Sequence, residues 1–177
     1  MSTQIREVSK QADAVKDLPH KTKNGLDEKT RASSVELLNA RLADGIDLAL
    51  AIKQAHWNMR GPNFIAVHEL MDQFREEMDA GNDLIAERAA QLGGAVFGTT
   101  QTVATSTTMK PYPVDIFALE DHLHALIDRF GTVANAIREA IDSSEQAGDA
   151  DTADIFTEVS RTLDKNLWFL ESHLPVK

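Results

Sequence analysis

Residues 56–94 read HWNMRGPNFIAVHELMDQFREEMDAGNDLIAERAAQLGG, and the fold turns on this stretch. Its first residues close one apolar-periodic segment, and Gly61-Pro62 interrupts it. Phe64, Val67, Met71, Phe74, Met78, Ile85 and Leu92 then carry a second stripe to Gly93-Gly94. A Gly-Pro break before a new stripe predicts a tight turn with proline near the start of the next helix. The paired glycines predict that helix's end.

Upstream, Val35, Leu38, Leu42, Ile46, Ala49 and Ile52 recur at three and four and predict a first helix from Glu28 to about Asn58. Downstream, residues 95–113 are rich in Thr and Ser and end in Pro111 and Pro113, a connection with room for a short helical turn near Gln101 to Ala104. Ile116, Leu119, Leu123, Leu126, Phe130, Val133, Ile137 and Ile141 predict a third helix. Asp142 to Ala150 reads as a polar turn, and Asp151 through Ile155, Val159, Leu163, Leu167 and Leu170 as a fourth helix. No strand pattern competes. A short link, a long one and another short one predict an all-α fold: a ferritin-like four-helix bundle with a long crossover between helices 2 and 3. Residues 27–177 form this domain, and 1–26 an N-terminal extension.

With 177 residues, 42% hydrophobic and 26% charged, the chain suits one globular domain. No apolar run reaches the length of a membrane span, and the first residues lack the apolar core of a secretory signal. Residence in the cytoplasm is expected. The absence of cysteine excludes thiolate metal sites, iron–sulfur clusters and thiol catalysis. Any metal must be held by His, Asp and Glu, which suit iron, manganese or zinc. Charge is uneven. Residues 1–26 hold five basic and three acidic side chains, whereas 27–177 hold 13 basic and 25 acidic, a body that would not bind nucleic acid by itself.

His68, Asp72, Asp83 and Glu87, spaced by 4, 11 and 4, fall within a sector of roughly 100° on the second helix, away from its apolar stripe. Glu76 and Asp79 share that sector with no Lys or Arg among them. Such a face is either solvated or relieved of its like-charge repulsion by a bound cation. The pairs His68/Asp72 and Asp83/Glu87 are centred 15 residues apart, roughly 22 Å along a helix, too far for one metal ion. Two such helices packed antiparallel across a two-fold axis would bring His68 and Asp72 of one chain against Asp83 and Glu87 of the other, twice per dimer. His56 lies twelve residues before His68 across the tight turn, and is either a hydrogen-bonded core residue or a second imidazole of the same site.

The run His56-Trp57-Asn58-Met59-Arg60-Gly61-Pro62-Asn63-Phe64, followed by His68, Asp72, Asp83 and Ala86-Glu87-Arg88, resembles the signature of the Dps family, DNA-binding proteins of starved bacterial cells. The resemblance continues through Gln91-Leu92-Gly93-Gly94, Gly98-Thr99-Thr100-Gln101, Tyr112-Pro113, Asp115-Ile116, Asp151 to Ile155, Leu163-Asp164-Lys165 and Leu167-Trp168-Phe169, about residues 30–172 in all. It implies a homododecameric shell with an iron-storage cavity and ferroxidase centres at two-fold interfaces. His56, His68 and Asp72 of one chain would face Asp83 and Glu87 of its partner. It further implies oxidation of two ferrous ions, preferentially by hydrogen peroxide, with mineralisation inside the shell and protection of DNA from oxidative damage. The Glu-x-x-His motif of larger ferritins does not occur.

Three features stay open on sequence. Trp57 either absorbs stray oxidising equivalents or packs as an ordinary aromatic, while Trp168 is read as core. Asp149, Asp151 and Asp154 sit where the family places acidic three-fold pores, and equally where carboxylates favour a helix N-terminus. Lys10, Lys16, Lys21 and Lys23 could bind DNA through avidity over many tails. Against that, Ile5, Val8, Ala12 and Val15 have helical spacing with Ser2/Thr3 before them, and a docked tail helix would hold the lysines back. A nucleoid-compacting structural protein with secondary iron chemistry is the rival to the ferroxidase reading. A plain helical interaction module would leave the aligned ligands unexplained.

Overall fold

The computed structural model describes Glu7 and residues 18–175. Five helices follow in order: α1 (Glu28–Asn58), α2 (Phe64–Gln91), α3 (Thr100–Ser106), α4 (Leu119–Ala147) and α5 (Ala150–Glu171). Asp27 opens α1, its carboxylate accepting from the Thr30 backbone N–H at 2.9 Å. Asn63 stands before α2 at φ 61°, a left-handed conformation that asparagine tolerates and that turns the chain sharply after Gly61-Pro62. α1 packs along α2 and α4 along α5, with α1 against α4 and α2 against α5 closing the bundle. Leu38, Leu48, Ile52, Met71, Phe74, Leu126, Phe130 and Phe156 fill its centre, where the Phe74 and Phe130 rings meet edge to face at 5.6 Å.

The crossover from α2 to α4 is fastened rather than loose. Asn39 of α1 donates to the Ala95 carbonyl at 2.9 Å and accepts from the Phe97 N–H at 3.0 Å. Asp44, buried in α1, accepts from the Thr108 N–H at 2.8 Å. α3 extends the short turn expected near Gln101 to seven residues.

Two boundaries differ from expectation. α4 starts at Leu119 instead of including Ile116, because Phe117 and Leu119 form a short bridge with Arg60: the Arg60 N–H donates to Phe117 and the Leu119 N–H to Arg60, at 2.9 and 2.8 Å. At its other end α4 runs on to Ala147, so residues 142–147 are helix and only Gly148-Asp149 turns. Ser143 and Ser144, which suggested a turn, return their hydroxyls to the Glu139 and Ala140 carbonyls at 2.8 Å and so sit inside the helix. Gly148 at φ 81° supplies the left-handed stop.

Before α1, the chain is tied to the far end of α2, where the His20 N–H donates to the Gly93 carbonyl at 3.1 Å. Gly93 adopts φ +87°, and a Cβ there would lie 2.5 Å from the His20 oxygen. Trp168, expected in the core, is instead 62% exposed on α5, with Phe169 turned inward beside it toward Phe74. The α5 stripe that buries Val159, Leu163 and Leu170 leaves position 168 on its outer side.

Candidate metal centre

The tight turn brings the last turn of α1 against the start of α2 and stacks two imidazoles. The His56 and His68 rings are 3.6 Å apart between centroids and inclined by 21°. Each Nδ1 meets the other residue's backbone carbonyl, His56 Nδ1 on the His68 oxygen at 3.0 Å and His68 Nδ1 on the His56 oxygen at 3.1 Å. A carbonyl only accepts, so Nδ1 must carry the hydrogen in both rings. The Nε2 lone pairs are left as the free atoms. This is the backbone tether that fixes ring orientation in metal-binding histidines. His56 is thus buried and hydrogen-bonded, with its Nε2 left without a hydrogen.

Asp72 lies one turn beyond His68, with Oδ1 3.5 Å from His56 Nδ1 and 2.6 Å from Lys53 Nζ. The hydrogen bond from Lys53 holds its carboxyl below the usual range. Lys53 escaped the reading of α2 because it comes from α1. The available signal was its place three residues before His56, one turn back on the same helix. Its ammonium also lies 5.8 Å from the Trp57 ring centroid, and Trp57 is 69% exposed, so within one chain it does not pack as an ordinary aromatic.

Asp83 and Glu87 are exposed toward the other end of α2, as the helical projection requires. Among the described residues, no three His, Asp or Glu side chains of a single chain close on one point. Asp79 departs from expectation: Arg75 clasps both its oxygens at 2.9 and 2.8 Å, so that part of the acidic face is neutralised by the chain itself. Arg75 falls outside the sector on a projection yet reaches into it.

The acidic trio divides. Asp149 does not face solvent. Only 1% exposed, it caps α5 by accepting from the Thr152 N–H at 3.2 Å and hydroxyl at 2.6 Å, and it receives Arg88 Nη2 at 2.6 Å. Burial alone would raise its pKa, but hydrogen bonds from Thr152 and Arg88 outweigh that and leave it lowered. Its place in a pore lining is therefore withdrawn. Asp151 and Asp154 are exposed. The buried guanidinium of Arg88 joins α2 to the α4–α5 turn. Of the candidate DNA-contacting lysines, Lys21 and Lys23 are exposed beside the His20 anchor, whereas Lys10 and Lys16, like the helical spacing of residues 5–15, lie outside the described residues.

A sequence model of the ferritin-like domain matches residues 35–176. The DNA protection during starvation protein of Agrobacterium fabrum is 57% identical over 158 residues, covering 89% of this chain and 98% of that protein. Among solved structures, DpsC from Streptomyces coelicolor superposes with a TM-score of 0.85 at 31% identity, covering 91% of this chain and 95% of that one. The tetragonal form of Mycobacterium smegmatis Dps gives 0.84 at 33% identity, covering 88% and 93%. The fold class is thus ferritin-like. Within it, the chain belongs to the Dps family.

Proposed function

We propose that this chain is a ferroxidase and iron-storage subunit of a hollow homododecamer, with each iron centre shared between two chains across a two-fold axis. The observation that carries the reading is the reciprocal His56–His68 tether, which occupies both Nδ1 atoms and leaves both Nε2 atoms free, with the Asp72 carboxylate 3.5 Å from His56 Nδ1. Asp83 and Glu87 of an antiparallel partner would complete a set of two imidazoles and three carboxylates, a donor set that fits iron. No described helix is long and apolar enough to cross a membrane.

Two ferrous ions bound at such a centre give one electron each to hydrogen peroxide, and the ferric product hydrolyses and mineralises inside the shell. Iron and peroxide are then consumed together instead of generating hydroxyl radical beside DNA. Asp151 and Asp154 are proposed to draw cations toward the cavity. The exposed Lys21 and Lys23 favour a second property, weak DNA contact multiplied over the shell, with Lys10 and Lys16 as further candidates. The deciding experiment is peroxide-driven ferrous oxidation by the purified assembly, followed by electron microscopy for mineral cores. Oxidation no faster than in protein-free buffer would overturn the reading. DNA retardation lost on deleting residues 1–26, with oxidation intact, would separate the two properties.

A further inference from the structure

The chain's one tyrosine is set against a buried imidazole. Tyr112, in the crossover just before α4, has its hydroxyl 2.8 Å from Nδ1 of His122, and the rings lie nearly parallel, 15° apart in plane. His122 belongs to the first turn of α4 and is 1% exposed. If the phenol donates, Nδ1 accepts and the hydrogen sits on Nε2, an atom sealed from water with no hydrogen bond among the described residues. Burial pushes the imidazole's pKa down and the phenol's up, so both rest neutral. The Arg129 guanidinium lies 5.2 Å from the Tyr112 ring centroid, with Asp47 3.7 Å beyond it. A cation there opposes any second positive charge on the ring. Loss of an electron from this phenol is therefore eased by a base ready to take its proton.

The pair is also connected to the candidate centre. Arg60, one turn past His56, exchanges backbone hydrogen bonds with Phe117 and Leu119, and His122 is one turn past Leu119. That path crosses one bridge and spans under about 20 Å.

We propose that Tyr112 donates one electron to the peroxide reaction, with His122 Nδ1 taking the phenolic proton. This rests on the ferroxidase reading. Reducing one hydrogen peroxide to two hydroxide ions needs two electrons. Where the centre holds a single ferrous ion, iron supplies one electron and Tyr112 the other. The O–H bond of Tyr112 breaks and its proton bonds to His122. The products are a ferric ion, two hydroxides, a neutral tyrosyl radical and an imidazolium. A half-loaded centre then completes the reduction without releasing hydroxyl radical.

With one tyrosine in the chain, any tyrosyl signal belongs to Tyr112. The assembled protein, given one ferrous ion per chain and then peroxide, should show a tyrosyl EPR signal in freeze-quenched samples. Tyr112→Phe should lose it, and spin-trapped hydroxyl radical should rise several-fold. His122→Gln, which keeps a polar side chain, should lower the radical yield several-fold and remove the exchangeable-proton coupling at the phenoxyl oxygen; a merely structural contact would change neither. Normal iron oxidation without a tyrosyl signal overturns the proposal and leaves the ferroxidase reading standing. Absence of iron oxidation sinks the ferroxidase reading and this donor role with it. Flash photolysis of the iron-free protein with a ruthenium tris-bipyridine oxidant then tests the pair itself: a tyrosyl radical whose yield depends on His122 upholds the proton transfer, and none rejects it.

Discussion

The carboxylates gathered around α2 are used in two opposite ways. At one end Asp72 stands half in water beside two tethered imidazoles, and further along Asp83 and Glu87 are exposed. One residue beyond Glu87, Arg88 turns inward and locks Asp149 in a dry contact with every hydrogen bond directed. Acidic residues near a site are therefore no guide to chemistry by themselves. A carboxylate whose oxygens are already satisfied holds the fold together, and one whose oxygens are free is available to a cation.

The largest effect should come from the satisfied one. Asp149→Ala strips the helix cap and leaves the Arg88 guanidinium buried without its partner, a change that costs about 3–5 kcal/mol in comparable buried pairs. Asp83→Ala, on the exposed face, should stay within about 0.5 kcal/mol. Denaturant titration of both variants checks the contrast, and similar midpoints would break it. A pH series sharpens it. Because the folded-state pKa of Asp149 is lowered, its stabilisation is present above the unfolded value near 3.9 and drains away as pH falls through the folded value. The gap between wild type and Asp149→Asn should thus persist at neutral pH and close in strong acid.

Next in size is the loss of the open carboxylates and imidazoles. His68→Ala/Asp72→Ala should slow ferrous oxidation by about a hundredfold or more, since outer partners of metal ligands alone are worth 10–100-fold. Asp83→Ala/Glu87→Ala should do the same from the opposite end of the helix, with the shell assembled in both. Dissociated and reassembled together, the two inactive chains should recover roughly a quarter of wild-type rate. Half of randomly paired dimers are mixed, and each mixed dimer holds one intact site of two. Mixed shells seen by mass spectrometry yet without activity would place the centre within one chain.

A smaller effect is expected at the start of α5. Asp151→Asn/Asp154→Asn should slow iron uptake at low iron roughly tenfold, the lower end of what focused charge gives. Asp149→Asn should not act on entry, because its oxygens face Arg88 and Thr152. Equal uptake by the double variant would send iron through another route.

How these roles divide could be read from the sequence only in part. Helix periodicity and the Gly-Pro and Gly-Gly punctuation carry α1 and α2 almost to the residue, and the 4-11-4 spacing places the outward face of α2. Two of the misses, Asp149 and Lys53, share one cause, a partner on another helix. Asp149 looks like a pore residue until Arg88, 61 positions earlier, is seen against it. Ser143 and Ser144 read as turn formers because serine favours turns, whereas here their hydroxyls bond the carbonyls one turn back in the same helix. Trp168 reads as core because a helix that alternates so many apolar residues gives no sign of which aromatic of the pair at 168–169 turns inward. Lys53 was invisible to a projection of α2 alone, for it arrives from the neighbouring helix.

Lys53 gives the smallest effect and the finest test of the comparison. Asp72 belongs with the open carboxylates, yet Lys53 Nζ already sits 2.6 Å from its Oδ1. Were that contact like Arg88–Asp149, it would be structural, and breaking it would cost stability. Asp72 is half exposed, however, and solvent-exposed ion pairs contribute little because water screens both partners. The ammonium acts instead as a competitor for the oxygen that a metal ion would use. Lys53→Met keeps the aliphatic stem beside Trp57 and removes only the charge. Stability should be unchanged, while affinity for a redox-inert divalent ion such as zinc should rise about two- to fivefold, the range an exposed pair can exchange. Calorimetric titration of the assembled protein measures it directly. Weaker zinc binding together with a lower melting temperature would assign Lys53 to the structural side, and the line between satisfied and open carboxylates would then have to be drawn between Asp72 and Asp83.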